Sequence, residues 1–135
     1  MTTQRQWIEV RATDETFVEE FNRVAYESGW TDGLPVIPPT EAKLKAFVAA
    51  SGRPADEVAG EIAPRMGAAT IEKVAANAIM AGCLPEYMPV LLAACEALSE
   101  PEFNLDGIQS TTNPVGVAVI VNGPVRREIG MNWGR

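Results

Sequence analysis

Residues 30–41 read WTDGLPVIPPTE, and no other stretch limits the fold of this chain so strongly. Pro35, Pro38 and Pro39 each fix their own φ and push the preceding residue towards extended backbone, so neither a helix nor a central strand can run through them. Both flanks read as helices. TDETFVEEFNRVAYESG sets Phe17, Val18, Phe21, Val24 and Ala25 at helical spacing, with Thr13 as N-cap, acids in the first turn and Gly29 for a left-handed C-terminal position. TEAKLKAFVAASG repeats the logic with Thr40 as N-cap, Leu44, Phe47 and Val48 on one face, and Gly52 as the stop. The stretch between them is either a stiff connector covering the core or a pre-shaped wall of a site. In the second reading Asp32, before Gly33, presents a carboxylate or bonds its own backbone, and Trp30 offers a flat apolar surface.

Beyond Gly52, EVAGEI breaks helical periodicity and reads as a short strand, whereas ATIEKVAANAIMAG is helical, with Ile71, Val74, Ala75, Ala78 and Ile79 on one stripe. CLPEYMPVLLAACEALSE starts a fourth helix, with Pro85 at its first position and Leu91, Leu92, Cys95 and Leu98 facing the core. EFNLDGIQSTTNPVG is loop-like, VAVIV suits a buried strand, and NGP signals a turn. These readings give an α+β class, with mixed α/β as the alternative. About four helices pack with a small sheet built from VAVIV, EVAGEI and either the amino-terminal QWIEV or the final segment. One domain spans residues 1–135, a length at which a single core is feasible.

The formal net charge of −7 argues against phosphate backbones and anionic lipid surfaces as partners, so neither nucleic acid nor membrane is expected. No apolar run approaches the roughly 20 residues of a spanning helix, and MTTQRQWIEVRATDE lacks a secretory core, which points to the cytoplasm. Two cysteines without CxxC spacing are expected to stay reduced. Histidine is absent from the whole sequence, which removes the commonest general base and metal ligand. Chemistry must then use carboxylates, a thiol, backbone dipoles or another chain's groups.

Three places could supply it. The first is the proline stretch. The second is Cys83, just before Pro85: helix-start amides there stabilise a thiolate, or the thiol is simply packed. The third is QSTTNPVG, whose Gln109, Ser110, Thr111, Thr112 and Asn113 either satisfy their own turns or line a polar pocket, with Asn122 and Gly123 at the far end of the same predicted strand. Arg126 and Arg127 are a solvated strand end or a basic pair that holds one carboxylate or phosphate. Glu72, Asp32, Asp106 and Cys83 show no recognised metal-ligand spacing, and no metal site is expected.

The blocks DGLPVIPPTE, ATIEKVAANAIMAGCLPEYMPVLLAACEA, PEFNLDGIQSTTNP and VIVNGPVRREIGMN, in this order, resemble a bacterial family encoded beside, or fused to, proteins with a Cys/Sec-Gly-Ser-Cys (UGSC) motif. The resemblance runs from about Trp30 to Asn132. It implies a two-component enzyme in which one chain supplies a cysteine or selenocysteine and the other supplies part of the pocket. By matching blocks it implicates Asp32, Gly33 and Pro35; Glu72, Asn77 and Cys83; Thr111, Thr112 and Asn113; and Asn122, Gly123, Arg126 and Arg127. Relatives continue past GMN with a glycine-rich stretch and a helix and carry a histidine near Asp106, so a second polypeptide is expected to complete the fold or pocket.

The expectation is a small subunit of a cytoplasmic hetero-oligomeric enzyme acting on a small carboxylate-bearing molecule, by lyase or hydratase chemistry or thiol-assisted redox chemistry. Cys83 would be thiolate nucleophile or ligand, Asp32 or Glu72 acid/base, and Thr111 to Asn113 anion stabilisers. The cofactor is unknown from the sequence. A noncatalytic binding or scaffold subunit is the alternative, and a metal-dependent lyase the third.

Overall fold

The computed structural model describes residues 8–10, 13 and 15–132. Among them are six α-helices and a two-stranded antiparallel sheet, an α+β architecture. The chain divides into two compact units, Met1–Pro38 and Pro39–Arg135.

The first unit holds α1 (Phe17–Glu27) and the segment that follows. Phe21 and Ala25 from the expected stripe are buried, whereas Val18 is 61% exposed. The helix starts three residues later than Thr13 predicts. Thr16 holds the N-cap position, and Thr13 and Thr16 bond reciprocally, the Thr16 amide to the Thr13 carbonyl and the Thr13 amide to Thr16 Oγ1. Of QWIEV, residues 6–7 lie outside the described residues, and residues 8–10 join no strand.

The second unit builds its core around three helices: α2 (Glu41–Ser51), α3 (Ile71–Met80) and α4 (Met88–Ser99). Their caps follow the sequence chemistry: Thr40 Oγ1 accepts from the Lys43 amide, Thr70 Oγ1 accepts from the Lys73 amide at 3.3 Å, and Gly52 takes φ 66°. Phe47, Ile71, Ala75, Ala78, Ile79, Met88 and Leu92 are buried together, with Leu44, Val48, Val74, Leu91 and both cysteines packed against them. Pro85–Tyr87 forms a 3₁₀ turn leading into α4, so Pro85 does open the helical path.

The sheet differs from expectation. Its strands are β1 (Val58–Ile62), the EVAGEI stretch, and β2 (Gly67–Thr70), a GAAT segment too poor in β-branched residues to announce itself. Between Val58 and Gly60 the register shifts: β1 carries one extra residue, Ala59, and this bulge turns Ala59 into the core. β1 packs on α4, with Gly60 at the crossing.

VAVIV is not a buried strand. Residues 117–121 pair with no strand among the described residues, and Val117, Val119 and Ile120 are 45%, 56% and 84% exposed. The flanks also differ from the loop and strand predicted: Pro101–Phe103 is a 3₁₀ turn, α5 spans Leu105–Ser110 from an Asn104 cap, and the final VRRE forms α6 (Val125–Glu128).

Candidate functional site

The candidates of the first unit are surface groups held by short-range bonds. Asp32 is exposed and its Oδ1 accepts from the Leu34 amide at 3.4 Å; Thr31 Oγ1 accepts from the Gly33 amide and donates to the Leu34 carbonyl at 2.7 Å. These are the self-satisfying turns that Asp and Thr favour. Trp30 follows Gly29, and its amide closes the end of α1 on the Ala25 carbonyl. One anchoring residue gave no signal in the sequence: Asn22 on α1 accepts the Val36 amide at 2.7 Å, which ties the proline segment back to the helix.

In the second unit, Cys83 sits at the end of α3. Gly82 adopts φ 82°, its amide bonds to the Ile79 carbonyl, and the Cys83 amide bonds to the Ala78 carbonyl at 2.9 Å. This is a Schellman closure, which places the residue after the glycine against the helix it terminates. Cys83 is accordingly half-buried against the core, and its own amide is spent on α3. Leu84, not Cys83, occupies the cap position of the following 3₁₀ turn.

Glu72 lies in the first turn of α3. The amides there are already engaged: Ile71 donates to the Glu57 carbonyl, Glu72 to the Ala55 carbonyl at 3.0 Å, and Lys73 to Thr70 Oγ1. Asn77 is exposed and its Nδ2 donates to the Lys73 carbonyl one turn back, a bond that keeps it on its own helix. Near the carboxyl-terminal end of α5, Thr111 Oγ1 accepts from the Asn113 amide at 3.2 Å, while Thr112 and Asn113 are exposed. Arg126 and Arg127 belong to α6, where their carbonyls accept the Met131 and Gly130 amides; Arg127 is exposed. They are helical residues and not a strand end. Among the described residues no group of three or more Cys, Asp or Glu side chains is gathered as a metal site would need.

The concave feature of this unit lies elsewhere. A groove of about 550 Å³ runs between α4 and residues 117–122. Pro89, Val90, Ala93, Ala94, Ala97 and Leu98 line one side, spaced as successive turns of one helix face. Val117 to Asn122 line the other, together with Phe103 and Val125. Leu98 thus faces the groove and not the core as its spacing suggested. Asn122 contributes the single polar side chain. Helix α4 is therefore apolar on two faces: Met88, Leu92 and Cys95 pack inward, and the Val90 and Leu98 side lines the groove. Burial pushes the Cys95 thiol up from its ordinary range, with the neighbouring Glu96 carboxylate adding to the effect.

Of the sequence candidates, Asn122 alone lines this groove; Gly123 follows it with φ 88°, and Val125, the residue before Arg126, is part of the wall. Thr111 to Asn113 lie at the opposite end of the same open segment, and Cys83, Glu72 and Asn77 do not line it. Comparison with models of known protein families gives no match, and neither curated proteins nor solved structures yields a similar chain.

Proposed function

We propose that the chain is a small subunit of a cytoplasmic hetero-oligomeric enzyme, and that it supplies the apolar wall of a pocket whose reactive groups come largely from a second polypeptide. The observation that carries this reading is the two-faced character of α4. A helix apolar on both sides is normally covered on both sides, whereas here the outer face borders a groove of ligand size, about 550 Å³. The groove suits the carbon skeleton of a small molecule. Its Asn122 end, followed by Arg126 and Arg127 in the chain, is where a carboxylate would be held. Lyase or hydratase chemistry, or thiol-assisted redox chemistry, fits a histidine-free chain that leaves proton transfer to its partner. The resemblance to the UGSC-associated family is consistent with such a division of labour.

The test uses the assembly recovered through a tag on this chain and short apolar carboxylates such as hexanoate as probes. Ala93→Trp puts an indole into the groove from an exposed position of α4. It should weaken hexanoate binding at least about tenfold, roughly 1.4 kcal/mol, with the assembly intact. Unchanged binding would overturn the groove as the pocket.

The noncatalytic reading has one observation in its favour: the acid/base and thiol candidates Glu72 and Cys83 do not line the groove. Turnover that survives Asp32→Asn, Glu72→Gln and Cys83→Ser combined would assign this chain a binding or scaffold role.

A further inference from the structure

Residues 107–125 contain no charged side chain, an uninterrupted neutral stretch of 19 residues in a chain of net charge −7. At its centre lies GVAVIV, Gly116–Val121. Among the described residues, none of these six makes a backbone hydrogen bond, and no helix, turn or ladder claims them. Six consecutive donors and acceptors beside β-branched side chains form a ready-made strand edge, which proteins ordinarily cover, charge or shorten. Here it is not charged, and neither strand among the described residues covers it.

The sequence of the edge also indicates what fits it. In a two-fold antiparallel pair, opposed residues must lie on the same face, so the two position numbers of each pair sum to a constant even value. Centring the pair on Val119 sets Val119 against its own copy, Val117 against Val121, and Ala118 against Ile120. One face becomes a continuous band of valines, the kind of β-branched cross-strand contact that stabilises sheets. On the other face the large, 84% exposed Ile120 meets the smallest side chain of the run, Ala118. Shifting the centre to Ala118 sets Ile120 against Gly116 and leaves Val121 opposite Val115, so the valine-centred register packs better.

We propose that Gly116–Val121 is a self-pairing strand: two copies of this chain join along it, antiparallel and centred on Val119, in a four-chain or larger assembly or alone. The pairing needs no second polypeptide and so stands apart from the function proposed above. A strand pair with its flanks lies at the small end of stable interfaces, below about 1,200 Å² in total, so the dimer is weak and dissociates on dilution. Because each copy carries net charge −7 and the contact itself is neutral, added salt strengthens it.

The test is sedimentation of the purified full chain across a dilution series, with two proline variants. Alternate residues of a strand point their amides to opposite edges, so one of Val119→Pro and Ile120→Pro removes an amide from whichever edge pairs. That variant should raise the dimer dissociation constant at least about tenfold while leaving helical circular dichroism unchanged, since neither residue lies in a helix or bonds its backbone to another described residue. A Val119→Cys variant should give a covalent dimer under diamide that Lys45→Cys, on the exposed side of α2, does not. A monomer at every concentration, a dimer indifferent to both prolines, or equal cross-linking at both cysteines would each overturn the proposal.

Discussion

Gly60 has no room for a side chain. A Cβ there would lie 2.0 Å from Ser99 Oγ, 2.8 Å from Ser99 Cβ and 3.3 Å from the Cys95 carbonyl oxygen, because β1 runs directly over the end of α4. Gly60→Ala is expected to cost about 1–3 kcal/mol in urea unfolding, and adding Ser99→Ala should recover only part of it, since the Ser99 Cβ contact remains. Thr70→Ala removes the acceptor of the Lys73 amide and should cost about 1 kcal/mol, read as a lower melting temperature. Cys95 gives a pH signature. Its folded-state value is raised, first by burial and then by Glu96, so the folded protein holds the proton longer than the unfolded chain. Its contribution is fully present below the ordinary thiol value of about 8.5 and is lost as pH rises through the raised one. Wild type should therefore lose stability relative to Cys95→Ala on going alkaline, and parallel pH profiles would contradict that. At this scale the sequence was legible wherever chemistry is local: Thr40, Gly29 and Gly52 took their caps because the partners lie within a turn. Asn22 and Gly60 were not, since each is explained by a neighbour 14 residues or more away.

At the scale of elements, α4 distinguishes two kinds of apolar surface. Leu92 is 3% exposed within the core, and Leu92→Ala should cost about 2–5 kcal/mol. Ala93 faces the groove, and changes there should alter binding more than stability. A periodicity reading cannot separate these faces, because Leu91, Leu92, Cys95 and Leu98 look alike as letters while only the tertiary neighbours decide which way Leu98 points. The sheet was half legible for a related reason. EVAGEI was visible as a break in the helical pattern, whereas GAAT is held as a strand by its antiparallel partner and not by its own propensity. VAVIV has the propensity and no strand partner among the described residues. The short α5 and α6, six and four residues long, carry too few turns for a period to register.

For the molecule as a whole, the buried apolar set is small beside the exposed one. Val115, Val117, Val119 and Ile120 are all at least 45% exposed, and the groove that the last three border is open. No helix among the described residues is long and apolar enough to cross a membrane, so this surface is not accounted for by a spanning segment. An apolar wall without its own acid or base, beside an open apolar segment, is what the proposed subunit role calls for. The central claim is that this chain works within a hetero-oligomer, and native mass measurement of the complex recovered from its source cells through a tag on this chain tests it most directly. The account predicts a second polypeptide in fixed ratio, with this chain present in even number. Recovery of this chain by itself, at any oligomeric order, would contradict the shared pocket.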